Sequence, residues 1–151
     1  MIYMKKIFLI CTVFAFHWAA CQQSKIKVTE SRKIELTSEL SKDKIDFYNQ
    51  YFLKFVDALK LSDKEKLKAL ISDKIKYHIS DDIIRYLVGG ISFDRKTEVY
   101  KSGYQKVDEN ETYPAIQYKY ADDLHEPPGD IITVIFENDG KILGVKPDYR
   151  K

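Results

Sequence analysis

The densest group of side chains able to ligate a cation or move a proton is Asp122-Asp123-Leu124-His125-Glu126, three carboxylates and an imidazole in one short segment. Oxygen and imidazole donors of these types hold zinc or calcium when they converge. Their spacing fits no zinc or calcium signature, and adjacent residues in a loop at a strand end point mostly apart. The segment is therefore expected to be a polar loop ahead of Pro127-Pro128, without metal. A second group, His78 with Ser80, Asp81 and Asp82, has the composition of a base with an orienting acid. The two acids are better explained as first-turn residues of a helix, where they meet the positive end of its dipole. Neither group is accompanied by a strained nucleophile elbow, a paired-carboxylate motif or a glycine-rich phosphate loop, so no catalytic residue and no cofactor is predicted.

The third reactive group is the thiol of Cys21. Ahead of it stand Lys5-Lys6, an apolar run from Ile7 to Phe16, and Ala19-Ala20. The run has the length of a signal h-region, whereas a spanning helix needs roughly 20 apolar residues. Residues 1–21 resemble the signal and lipobox of bacterial lipoproteins, with Trp18 standing where that family usually carries an aliphatic residue. The resemblance implies cleavage before Cys21, a thioether-linked diacylglycerol on its sulfur, and a mature domain tethered to a membrane without spanning it. It also implies delivery to the outer membrane of a cell with two membranes, since Gln22 replaces the inner-membrane retention aspartate. The less favoured alternative is an ordinary secretory cut after Cys21, with the small residues Ala19 and Cys21 at its two specificity positions.

Removing residues 1–20 takes away Lys5 and Lys6 and no acid, so the formal charge of +2 belongs to the signal. A neutral chain with interspersed signs lacks the footprint of a nucleic-acid binder, and no basic block marks a lipid-headgroup patch. Cys11 would leave with the signal and Cys21 would be lipidated, so no disulfide is expected. Residues 21–40 are polar and read as a tether, with the alternation of Ile26, Val28, Ile34 and Leu36 as the sign of a short added strand.

The elements that must position any site follow from periodicity. Ile45, Tyr48, Phe52, Phe55, Val56 and Leu59 fall at spacings of three and four, which predicts a helix from Ser41. Ser62-Asp63-Lys64-Glu65 reads as a capping box for a second helix running to about Ser72. Ser80 caps a third, which Gly89-Gly90 stops. Strands are predicted over residues 97–107, 112–121, 131–137 and 141–146, joined as an antiparallel meander, with Asn138-Asp139-Gly140 the strongest hairpin turn. Gly103 is the expected bulge or bend.

Eleven tyrosines are many for this length. Tyr118 and Tyr120 share a strand face, and with Tyr100 and Tyr104 they are the candidate ligand or partner surface, although strand propensity alone would also enrich tyrosine here.

The helix pair from Ile45 to Ile71 and the hairpin from Ile131 to Val145 resemble the nuclear transport factor 2-like cone, with a cystatin-like or other α+β sandwich as the alternative. The expected fold is α+β, three helices followed by a curved four-stranded antiparallel sheet, in a single domain over residues 41–151. The resemblance implies a non-catalytic binding or accessory module of the cell envelope, acting on an envelope protein or a small ligand. The alternatives are a cyclase-like or dehydratase-like pocket enzyme, with His78 its only plausible base, and a toxin-neutralising immunity protein. Replacing Cys21 by Ser should move the protein from the detergent phase to the aqueous phase of a Triton X-114 partition and remove the acyl mass from its amino terminus.

Overall fold

The apolar residues at helical spacing lie on α1 (Lys42–Lys60), which in this computed structural model turns Tyr48, Phe52, Phe55, Ala58 and Leu59 into the core. The structure describes residues 35–108 and 110–149; the signal segment, Cys21 and the tether as far as residue 34 lie outside the described residues. Ser41 caps α1, Asp43 sits in its first turn and Lys60 in its last, each matched to the sign of the nearby dipole end. The expected tether extends less far than residue 40, because Leu40 is buried in the core and Thr37 forms an antiparallel bridge with Tyr104.

The end of α1 corrects the capping box. Ser62 adopts φ +53°, its N–H donates to the carbonyl of Leu59 (3.0 Å), and the Asp63 N–H donates to that of Ala58 (2.9 Å). This is a Schellman motif with Ser62 in the left-handed position, so Ser62 cannot also be an extended N-cap. Asp63 takes that role, its carboxylate accepting from the Lys66 N–H at 3.1 Å at the start of α2 (Lys64–Leu70). A single 3-10 turn (Lys76–His78) leads to α3 (Asp81–Gly90), capped by Ser80 as expected, with Asp81 and Asp82 in its first turn. The glycine pair forms the last turn of α3, and Ile91 closes it in an extended conformation.

Four strands follow: β1 (Thr97–Lys106), β2 (Thr112–Tyr120), β3 (Asp130–Phe136) and β4 (Ile142–Tyr149), antiparallel in the order β1-β2-β3-β4. The chain is therefore α+β, with three α-helices and a four-stranded antiparallel meander. Gly140 makes the β3–β4 turn at φ +92° with its Cα against the Tyr51 ring, so both the sign of φ and the space require glycine. The irregularity in β1 falls between Val99 and Lys101, at Tyr100, and not at Gly103. Gly103 serves a different need: a Cβ there would meet the Ser38 carbonyl oxygen at 2.5 Å, where the chain entering α1 crosses β1.

Register decides which sheet face is covered. Tyr118 pairs with Val99 and Ile132, and Ile116 with Ser102 and Val134, so Ile116, Tyr118, Tyr120, Ile132 and Val134 point the same way. All five are buried with the α1 residues in one core. The other face carries Gln117, Lys119, Thr133, Lys146 and Asp148. Phe52 stacks on Tyr118 with ring centroids 4.0 Å apart, and Tyr48 on Phe136 at 4.9 Å. Each buried aromatic ring contributes about 1.5–3 kcal/mol from the area removed from water.

On the far side of the helices, β4 is an edge strand held by the α2–α3 connection. Ile71 bridges Ile142 in parallel, the Ser72 N–H donates to the Ile142 carbonyl (2.8 Å), and the fully buried Ser72 Oγ accepts from the Lys74 N–H.

The Tyr118 hydroxyl is buried without a hydrogen-bond partner among the described residues, and burial pushes its pKa far above the usual phenol value. An unpaired buried hydroxyl is unfavourable relative to hydrogen. Tyr118→Phe should keep the fold and raise the free energy of urea unfolding by about 1 kcal/mol.

Candidate functional site

The acidic segment is a loop organised around one carboxylate. Asp123, 7% exposed, accepts from the backbone N–H groups of His125 (3.1 Å), Gly129 (2.6 Å) and Asp130 (3.3 Å). His125 Nδ1 lies 2.8 Å from the same carboxylate, and since an ionised carboxylate only accepts, Nδ1 carries the proton. These bonds, the His125 ring first, hold the Asp123 carboxyl far below the ordinary carboxylate range. Asp122 turns away to pair with Arg95, which lowers its pKa, while Arg95 also reaches Asp130 (3.1 Å) and lies 4.0 Å above the Tyr120 ring. Glu126 accepts from the Tyr100 hydroxyl at 2.8 Å. The three acids thus serve three separate structural contacts, and among the described residues no three His, Cys, Asp or Glu side chains converge on a metal position.

The four candidate tyrosines do not form one surface. Tyr118 and Tyr120 do share a face, but it is the covered one: each is 1% exposed, so the expectation of a ligand surface there is corrected by the helices packed over it. The Tyr120 hydroxyl accepts from the Ser92 N–H at 2.8 Å. Tyr104 is half-buried against the core, with its hydroxyl 2.7 Å from Lys44 Nζ. Tyr100, at the bulge, is engaged by Glu126.

A concave feature of the described residues lies elsewhere, beside β4. A cavity of about 230 Å³, open on one side, is lined by Phe55 and Leu59 of α1, Leu67 of α2 and Ile71 just past its end, and Ile83, Ile84 and Leu87 of α3. Ile75 and Ile79 flank the 3-10 turn, and Ile142, Gly144 and Val145 complete the wall from β4. Its deep wall is dry carbon: Phe55, Leu59, Leu67 and Ile142 are each at most 2% exposed. Its outer wall holds Ile83, 39% exposed, and His78, which is exposed and is the one titratable residue of the lining. The cavity persists because the chain from Ser72 to Ser80 is fastened to β4 at one end and to the α3 cap at the other, so it bridges the space without filling it.

The cavity brings together residues that the sequence marks singly. Leu67, Ile71, Ile83, Ile84 and Leu87 are apolar at helical spacing, and His78 stands out as a possible base. Ile75 and Ile79 escape a search for periodic elements because they belong to neither helix, although Ile75, Ile79, Ile83 and Leu87 recur every four residues across the Ser80 cap. Compared with known protein families, with curated proteins and with solved structures, the chain has no match.

The Asp123 carboxylate has its pKa lowered on folding, so its stabilisation is complete above the unfolded value of about 3.9 and is lost as pH falls through the lower folded value. Asp123→Asn should lower the melting temperature at pH 7, and its deficit against the unsubstituted protein should shrink below about pH 4, as read by scanning fluorimetry across pH.

Proposed function

We propose that this chain is an extracytoplasmic lipoprotein, anchored to a membrane through Cys21, whose α+β domain is a non-catalytic binding module. In this reading residues 1–20 are removed, the diacylglyceryl group on Cys21 holds the domain at the bilayer surface, and the cavity beside β4 takes an apolar group. The helices and meander are those expected of a nuclear transport factor 2-like cone, and that assignment is part of the proposal. In a cell with two membranes Gln22 favours the outer one, where the module would serve an envelope partner or a small apolar ligand.

The observation that carries the binding reading is the chemistry of the cavity wall. Twelve of its thirteen lining residues are aliphatic, aromatic or glycine. Such a surface releases about 25 cal/mol for each Å² of apolar contact and supplies no directional bonds, which suits retention of a hydrophobic group. Proton-transfer chemistry in a pocket needs an acid or base with a perturbed pKa close to the reacting atom. The only titratable side chain on this wall, His78, is exposed at its outer side. Nucleic acid is not a favoured partner, since basic and acidic residues balance once Lys5 and Lys6 are removed.

Naphthalene, a rigid hydrocarbon of suitable size, tests this reading. Saturation-transfer NMR on the full chain bearing Cys21→Ser should show binding, and Ile84→Phe, which adds carbon to the cavity wall, should abolish it while leaving the circular dichroism spectrum unchanged. Equal binding by the two proteins, or none by the first, would refute it.

A further inference from the structure

The cavity is polarised from end to end, and this narrows its occupant beyond "apolar". At its base are Phe55, Leu59 and Leu67, at most 2% exposed; at its opening are Ile83 and His78. The size is also informative. An apolar hole of about 150 Å³ accommodates benzene, which amounts to roughly 25 Å³ per carbon, so about 230 Å³ accepts around nine carbons. Pockets for drug-sized ligands begin near 300 Å³. The space therefore suits one short chain and is too small for a sterol or a double-chained lipid.

Among the described residues that line the cavity, His78 carries the one polar side chain. Every charged side chain from Asp73 to Arg85 already has an opposite charge: Lys76 and Lys141 on Asp73, Glu111 and Glu137 by Lys74, Lys64 on Asp81, and Arg85 on Asp82. The His78 backbone N–H is bonded to the Ile75 carbonyl, while its ring has no hydrogen-bond or ion-pair partner among the described residues. An imidazole can donate in either tautomer and donates from both nitrogens when protonated, so it favours an acceptor headgroup over a cationic one.

We infer that the cavity is a binding site for a single-chain carboxylic acid of about eight to ten carbons, its tail against Phe55, Leu59 and Leu67 and its carboxylate accepting a hydrogen bond from His78. The inference rests on the reading that the cavity binds apolar groups, and it adds a ligand class and a recognition residue. The same chain could arrive as a free acid or as an acyl ester, and the two differ at the headgroup that His78 meets. The free acid offers a charged acceptor, for which a hydrogen bond is stronger.

The test is calorimetric titration of the full chain bearing Cys21→Ser, below micellar concentrations, with octanoate, methyl octanoate and octylammonium. Octanoate should bind at least about tenfold more tightly than either of the others. His78→Ala should erase that preference, while leaving methyl octanoate within about twofold of its former affinity. From hexanoate to nonanoate the affinity should rise about fourfold per methylene and then level off. Octylammonium binding as well as octanoate, an octanoate affinity untouched by His78→Ala, or methyl octanoate binding more tightly than the acid would each overturn the inference. In those cases naphthalene binding would persist, whereas loss of all apolar binding, naphthalene included, would instead remove the reading beneath it.

Discussion

The rest of the structure depends on α1 lying across the inward face of β2 and β3, with Phe52 stacked on Tyr118 at its centre. A strand alternates its side chains, so a one-residue slip of β2 would turn Tyr118 and Tyr120 outward and bring Gln117 and Lys119 under the helix. Two large rings in contact leave no intermediate registers of comparable energy. Once this layer is set, the positions of the sheet edges follow: β1 receives the chain entering α1 through Thr37, and β4 receives the chain leaving α2 through Ile71 and Ser72. With no cysteine among the described residues, that packed layer and its two fastenings must supply the stability of the domain.

The same arrangement separates the acidic loop from the cavity beside β4. The buried carboxylate of Asp123 and the Arg95 bridge sit at the loop between β2 and β3, where they shape a turn and do not line the cavity beside β4. The cavity forms where α2, α3 and β4 approach without full interdigitation, and its walls come from branched aliphatic side chains. The acids of that loop are thus structural, whereas the concavity is built, His78 apart, from residues that look like ordinary core. The proposed binding role rests on this division.

Much of the fold was legible in the sequence because its signals are local. The spacing from Ile45 to Leu59, the Ser80 cap and the Asn138-Asp139-Gly140 turn each declare an element within a few residues, and each is where it was expected. What was not legible depends on partners distant in sequence. Ser62 matches a capping box, but the tight exit from α1 places it in the left-handed region and passes the cap to Asp63. Gly103 looks like a bulge, yet what restricts it is the carbonyl of Ser38, far away along the chain. Alternation shows that Tyr118 and Tyr120 share a face, but only the placement of α1 determines that the face is covered. The cavity was the least legible feature, since it exists only once three helices and an edge strand have been positioned.

The treatment of β4 bears on how this domain behaves in a crowd. An exposed outer strand normally invites a second molecule to extend the sheet, the first step toward fibrils. Here Ser72 occupies the carbonyl of Ile142 near one end of that strand, and Pro147 removes an amide near the other. Polymerisation is thereby discouraged by missing or occupied backbone groups, which leaves the molecule able to stand densely among its own copies without joining them.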